Sequence, residues 1–130
     1  MHVRMQIGPE EYALAVGDVL EVVDAPEVTP VPGAPSCILG VCNLRGTVLP
    51  VVDAAKVLRA DGGDARQIVI TEGAAGRAGV AVDQVIEVGV LPDARESTES
   101  VHLSATVLHD QRLVGIVDLD SLLNAVRDAA

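Results

Sequence analysis

Valine decides what this chain can become. It occurs 23 times in 130 residues, against 13 Leu and 6 Ile, mostly in short runs broken by Gly, Pro and Asp. β-Branched side chains lose rotamer freedom in helices and pack well on a pleated sheet. Short Val-rich runs bounded by turn residues therefore read as strands. Val3-Arg4-Met5-Gln6-Ile7 alternates strictly and predicts a half-buried strand. Gly8-Pro9 turns the chain, and residues 11–14 form the hairpin partner, with Tyr12 and Leu14 on one face. Residues 16–23 combine one helical turn with a strand at 20–23.

Four prolines (26, 30, 32 and 35) within ten residues exclude a helix and predict a stiff extended connection. Residues 36–41 suit a short helix or a strand. Asn43-Leu44-Arg45-Gly46 reads as a tight turn, and residues 47–52 as a strand whose Pro50 marks an edge or a bulge. Asp53 stands where a capping residue would precede a short helix. Residues 67–71 and 78–82 form a hairpin across a Gly-rich turn, and 83–90 end strand-like. The polar stretch 92–100 reads as an exposed loop. Residues 101–107 and 112–117 pair around His109-Asp110, and Asp120 caps a helix over 121–127. That makes nine or ten strands and two or three short helices, with no βαβ alternation. Small barrels or a sandwich fit this spacing of turns. Val52-Asp53, Val82-Asp83 and Val117-Asp118 echo one another, as repeated strand–cap units would or as chance would in so Val-rich a chain.

Composition removes whole classes of function. Nine Lys+Arg face 19 Asp+Glu, a formal net charge of −10, and the basic residues are scattered singly. Such a surface repels nucleic acid and anionic membranes. Tyr12 is the sole aromatic residue, so there is no base-stacking platform. No apolar run approaches the ~20 residues of a membrane span, and no secretory leader is evident. Two cysteines are too few for a disulfide scaffold. The expectation is one soluble domain over residues 1–130, in a reducing compartment.

Candidate catalytic groups have simpler readings. Cys37 and Cys42 lie far in sequence from His2, His102 and His109, without the spacing of a zinc site. Their apolar surroundings argue against a reactive thiolate. Asp53, Asp83 and Asp118 could do acid–base chemistry only if they converged; each follows an apolar strand, where a turn or cap role suffices. The one constellation that suggests binding is the Asn43-Leu44-Arg45-Gly46 turn. It sets a lone guanidinium between apolar flanks, as a site for a partner's carboxylate beside an apolar groove would.

That segment resembles the CheW family of bacterial chemosensory adaptors, and the resemblance runs the length of the chain. It includes Glu10-Glu11-Tyr12-Ala13-Leu14, Val19-Leu20-Glu21-Val22, Val28-Thr29-Pro30-Val31-Pro32 and Ile38-Leu39-Gly40-Val41. Asn43-Leu44-Arg45-Gly46 is followed at the family's distance by Pro50-Val51-Val52-Asp53. Gly79-Val80-Ala81-Val82-Asp83-Gln84-Val85 looks like a second signature, and residues 113–123 look like the closing strand and helix. The chain departs from the pattern in short segments after Leu58 and between Leu91 and Leu103, in Leu103-Ser104-Ala105 where Leu-x-Gly is usual, and in a more polar Gln67 beside Ile68.

The resemblance implies a mostly β fold of two small five-stranded, SH3-like barrels packed together, with a C-terminal helix. It implies no enzyme activity, cofactor or metal. The implied role is coupling the cytoplasmic tips of methyl-accepting chemoreceptors to the regulatory domain of a CheA-type histidine kinase, in the cytoplasm, with other CheW-like proteins as further candidate partners. Carried over, Val19, Glu21, Gly40, Asn43, Leu44, Arg45 and Ile68 are the receptor-binding residues. Alternatives are an accessory adaptor that binds receptors but not the kinase, and an unrelated small β-barrel that binds peptides.

Overall fold

The computed structural model describes residues 1–24, 26–91 and 102–129. In chain order these form β1 (His2–Ile7), β2 (Glu10–Ala15), a 3-10 turn (Val16–Asp18) and β3 (Val19–Asp24). Next come β4 (Ile38–Leu44), β5 (Thr47–Asp53), α1 (Ala54–Leu58), β6 (Gln67–Gly73) and β7 (Gly76–Val82). The chain closes with β8 (Gln84–Gly89), β9 (Leu103–His109), β10 (Arg112–Val117) and α2 (Leu119–Asp128). The loop expected at 92–100 and the strand start expected at Val101 lie outside the described residues.

The strands form two five-stranded sheets: sheet A, in the order β8-β1-β2-β10-β9, and sheet B, in the order β3-β6-β7-β5-β4. Both follow one plan. A central hairpin has a lone strand on one side and a second hairpin on the other, joined to it by a short parallel ladder, β2 with β10 in A and β7 with β5 in B. Sheet B uses its elements in the order β3, β4, β5, α1, β6, β7. Sheet A follows the same cycle but is cut elsewhere: β8, β9, β10 and α2 end the chain, while β1 and β2 begin it. The Val–Asp echo is therefore real at two places, since Asp53 and Asp118 both stand between a parallel-paired strand and a helix. Asp83 is different; its carboxylate accepts from the Gly8 backbone N–H at 3.0 Å.

The largest core lies between the sheets. Met5, Ile7, Tyr12 and Leu14 of sheet A meet Val52, Val69, Val80 and Val82 of sheet B, and α2 adds Leu119, Leu122, Leu123 and Val126. Those four helix positions follow i, i+3, i+4, i+7, one apolar stripe. Each large side chain so buried contributes on the order of 1.5–3 kcal/mol. The sheets also bury their other faces. Sheet B encloses Cys42, Leu49, Val51, Ile68, Ile70 and Ala81, and a small cluster of Ala105, Val107 and Ile116 lies in sheet A. Strands buried on both faces read as continuous apolar runs, which is why residues 67–71 and 78–82 lack alternation.

Several local expectations change. Residues 36–41, left open between helix and strand, take the strand alternative, with β4 beginning at Ile38. β5 is an interior strand, so Pro50 marks no sheet edge. It stands one residue before the ladder to β7 begins at Val51, where its missing N–H removes no bond on that side. A bulge does lie nearby, in β4 between Ile38 and Gly40. The β9–β10 turn is Asp110-Gln111, one residue later than expected. Both have positive φ, 49° and 66°, matching the twist that two-residue hairpins prefer.

The caps also differ. Asp118, not Asp120, caps α2: its Oδ1 accepts from the Ser121 N–H at 3.1 Å. The Asp120 carboxylate instead accepts from Ala74 N–H in the β6–β7 turn, at 2.9 Å. Asp53 holds the N-cap place of α1 but makes no side-chain cap bond. The two aspartates thus predict different costs. Asp118→Ala should lower the unfolding free energy by about 1 kcal/mol, whereas Asp53→Ala should stay within about 0.5 kcal/mol. Urea midpoints of the two variants will separate them.

Candidate functional site

The tip of the β4–β5 hairpin shapes the exposed site. Arg45 and Gly46 both take positive φ, 49° and 90°, giving a two-residue turn. Glycine adopts this conformation freely, while Arg45 needs help to hold it. Asn43 supplies that help, its side-chain oxygen accepting from the Gly46 N–H at 2.8 Å. The Arg45 side chain, 70% exposed, therefore projects from a braced turn and not from a loose loop.

Its guanidinium meets Glu21 on β3. Arg45 Nη1 donates to Oε1 at 3.2 Å, and Nη2 donates to Oε2. This two-pronged pairing matches the planar fork of arginine to a carboxylate. The hydrogen bonds from Arg45 hold the Glu21 carboxyl below its usual range, and Glu21 in turn raises Arg45. β3 and β4 are the two outer strands of sheet B, so the pair bridges strands with no shared ladder. An exposed ion pair contributes little to stability; what it supplies is a fixed orientation for both groups. Beside it lies a cavity of about 170 Å³ lined by Leu20, Glu21, Leu44, Arg45, Thr47, Leu49, Ile70 and Arg77.

The structure thus brings Glu21, Leu44 and Arg45 together, with Asn43 bracing the turn. The other three expected residues lie elsewhere. Val19 is half-buried against the core between the sheets. Ile68 is buried in the apolar cluster of sheet B. Gly40 is buried beneath the Pro-rich segment, where Thr29 bridges to Val41 through two backbone bonds of 2.8 and 2.9 Å. A β-carbon on Gly40 would run into the Thr29 carbonyl oxygen, and its φ of 153° disfavours any side chain. Gly40 and Ile68 can shape the site from below but offer a partner no side-chain surface.

Sequence reasoning missed the apolar edge next to this site. Leu20 and Val22 are exposed on β3, an outer strand. Their run was legible as a strand; which side faces water was not. A second cavity, about 720 Å³, opens between sheet A and the two helices. Its walls include Tyr12, Cys37, Val57, Leu103, Leu113 and Ala125. None of the seven expected residues lines it. Tyr12 donates to the Glu10 carboxylate there at 2.9 Å, and burial together with that carboxylate raises the phenol strongly. Asp53, Asp83 and Asp118 line neither cavity. Burial raises the Cys42 thiol, away from thiolate chemistry.

Residues 2–127 match the CheW-like domain family model. The chain belongs to the CheW-like family. Chemotaxis protein CheW of Rhizobium meliloti (strain 1021) is 29% identical over 98% of this chain and 90% of its own length. Protein FrzA of Myxococcus xanthus is 30% identical over 96% and 86%. The crystal structure of the scaffolding protein TtCheW from Thermoanaerobacter tengcongensis matches with a TM-score of 0.78, 28% identity and coverage of 90% of this chain and 87% of that one. This CheW-like chain has the mostly β, two-sheet fold that the resemblance implied, C-terminal helix included.

Two outcomes follow from the geometry. A depressed carboxyl pKa means that the Glu21–Arg45 pair is formed above the ordinary carboxylate range and lost as pH falls through the folded-state value. In an NMR titration the Glu21 carboxyl should have a lower midpoint in the native protein than in Arg45→Met; equal midpoints would show that the pair is not populated in solution. Separately, Gly40→Ala should destabilise the protein by about 1–3 kcal/mol through overpacking and speed hydrogen exchange at the Thr29 and Val41 amides.

Proposed function

We propose that this CheW-like chain is a non-catalytic chemosensory adaptor working in the cytoplasm, joining chemoreceptor tips to a CheA-type histidine kinase. The observation that carries the reading is the braced Arg45–Glu21 pair beside a small cavity with Leu20 and Leu44 in its wall, in a chain aligned end to end with chemotaxis proteins. Among the described residues, no helix is long and apolar enough to cross a membrane.

The physical picture is a receptor helix laid against the hairpin tip. Its apolar stripe covers the Leu20 and Leu44 side of the cavity. Arg45 has donors beyond the two it spends on Glu21, and these bond the receptor's polar flank. Glu21 holds the guanidinium in one pose, which reduces the ordering cost of binding. Kinase contact falls to the outer strands: Val22 on β3 and Val88 on β8 are exposed apolar side chains on the outermost strands of their sheets. Such edges accept another sheet, and by family resemblance the kinase's regulatory domain has the same fold as this chain. Each contact is modest, so multivalent assembly supplies much of the binding strength.

The test measures two affinities separately, for a soluble receptor cytoplasmic domain and for the kinase regulatory domain. Arg45→Glu sets a second carboxylate beside Glu21. It should weaken receptor binding by about tenfold or more and leave the melting temperature nearly unchanged, as for other exposed sites. Unchanged receptor affinity would overturn the assignment of the site. Receptor binding without kinase binding would instead make the protein an accessory adaptor.

A further inference from the structure

The two sheets correspond residue for residue in register, bulges included. Asp53 and Asp118 hold the same place between a strand and a helix. Val51 and Ile116, equally far before them, face Gly79 and Ala13 in the parallel ladders. The bulge of β4 falls opposite Val51 and Val52, and that of β9 opposite Ile116 and Val117. Across the hairpins, Gly79 faces Ile70 and Ala13 faces Arg4. On the outer strands, each next to a bulge, Ile70 faces Glu21 and Arg4 faces Glu87. The turns coincide too, Arg45-Gly46 in sheet B and Asp110-Gln111 in sheet A, all four residues with positive φ. The tip site of sheet B therefore has a complete counterpart in sheet A. Glu87 stands for Glu21 and Asp110 for Arg45. Arg4, His109, Arg112 and Glu11 stand for Ile70, Leu44, Thr47 and Arg77.

What differs is the space beneath the tip. In sheet B a cavity of about 170 Å³ opens there, with Leu44, Leu49 and Ile70 in its wall. In sheet A the chain's own charged side chains occupy that place. Arg4 Nη2 donates to Glu87 Oε1 at 2.9 Å, and Nη1 lies 3.5 Å from Glu11 Oε1. Glu11 Oε2 lies 3.4 Å from Arg112 Nε, and Arg112 also donates to the Pro9 carbonyl at 2.9 Å. His109 Nε2 lies 3.8 Å from Glu87 and 3.4 Å from Asp110. The Glu11 and Arg4 side chains are only 5% and 11% exposed, so these groups close the floor that Ile70 and Leu44 leave open in sheet B.

An apolar side chain pressed onto this floor would strip the remaining water from charged groups and give them no new partner, which is costly. Arg4 Nε is already buried without a partner. The tip has also changed sign. Asp110, its side chain 83% exposed, presents a carboxylate where Arg45 presents a guanidinium. A helix with an apolar stripe and a flank suited to arginine is therefore accepted at one end of the molecule and refused at the other. Refusal of the wrong seat is as much a part of specificity as contact with the right one.

Resting on the receptor reading of the sheet B tip, we propose that Arg4, Glu11, His109 and Arg112 close a second copy of that site, so that a duplicated fold offers a receptor helix one seat and not two. The test measures binding of a soluble receptor cytoplasmic domain to the full chain. It starts from Arg45→Glu, which silences the sheet B tip. Adding Asp110→Arg and Gln111→Gly copies only the turn and should leave binding as weak as before. Adding Arg4→Ile, Gln6→Glu, Glu11→Arg, His109→Leu and Arg112→Thr copies the floor as well and should strengthen binding by about tenfold or more. The converse variant keeps Glu21 and Arg45 but carries Ile70→Arg, Leu44→His, Thr47→Arg and Arg77→Glu. It should lose about tenfold or more in affinity, and it decides the matter if the full copy does not melt cooperatively. Recovery with the turn alone, no recovery in a folded full copy, or native affinity in the converse variant would each overturn the closed second seat. Unchanged affinity in Arg45→Glu itself would sink the receptor reading, and the second seat with it.

Discussion

The apolar layer between the two sheets is the constraint on which the rest depends. Neither sheet carries enough aliphatic surface to stand alone, because every strand is short and no Phe or Trp is present to fill space. Stacking the sheets with α2 lets Val and Leu side chains from most of the chain exclude water together. With Tyr12 as its single aromatic residue, the packing relies on many small interdigitating contacts, each weak and collectively large. This layer joins the two ends of the chain, since β1 and β2 are held beside β10 and α2.

The layer also determines what is left exposed. Each sheet turns one face inward to the shared core and closes the other around its own small interior, so the remaining surfaces are hairpin tips and outer strands. The proposed site uses both kinds of leftover: Arg45 stands on a hairpin tip, Glu21 on an outer strand. An ion pair between strands that share no backbone ladder holds its geometry only because the sheet beneath is rigid. A braced αL turn and buried support from Ile70 and Leu49 supply that rigidity. The binding picture is therefore one of preorganised surface and not of an adaptable loop.

Sheet A repeats the plan of sheet B but carries a cluster of charged side chains at one end. Arg4, Glu11, Glu87, Arg112 and His109, one from each strand, approach one another there, and the Arg4 Nε is buried without a partner. The alternation of Val3-Arg4-Met5-Gln6-Ile7 thus has a different meaning from its usual one. The polar residues do not face water; Arg4 faces Glu11 and Glu87.

Much of this molecule was legible from its residues, for local reasons. Short Val-rich runs have few conformational choices, so the strands, the Pro-rich extended strap and the braced Asn43–Gly46 turn all followed from propensity and turn chemistry. The ordered motifs gave the family. Tertiary structure alone decided which way each strand faces, which aspartate caps α2, and that Arg45 spends part of its fork on Glu21, 24 positions away. It also decided that Ile68 and Gly40 are buried supports and that the polar face of β1 lines a charged interior. These outcomes depend on register and on pairings between distant segments, and a sequence encodes them only through the energy of the assembled whole.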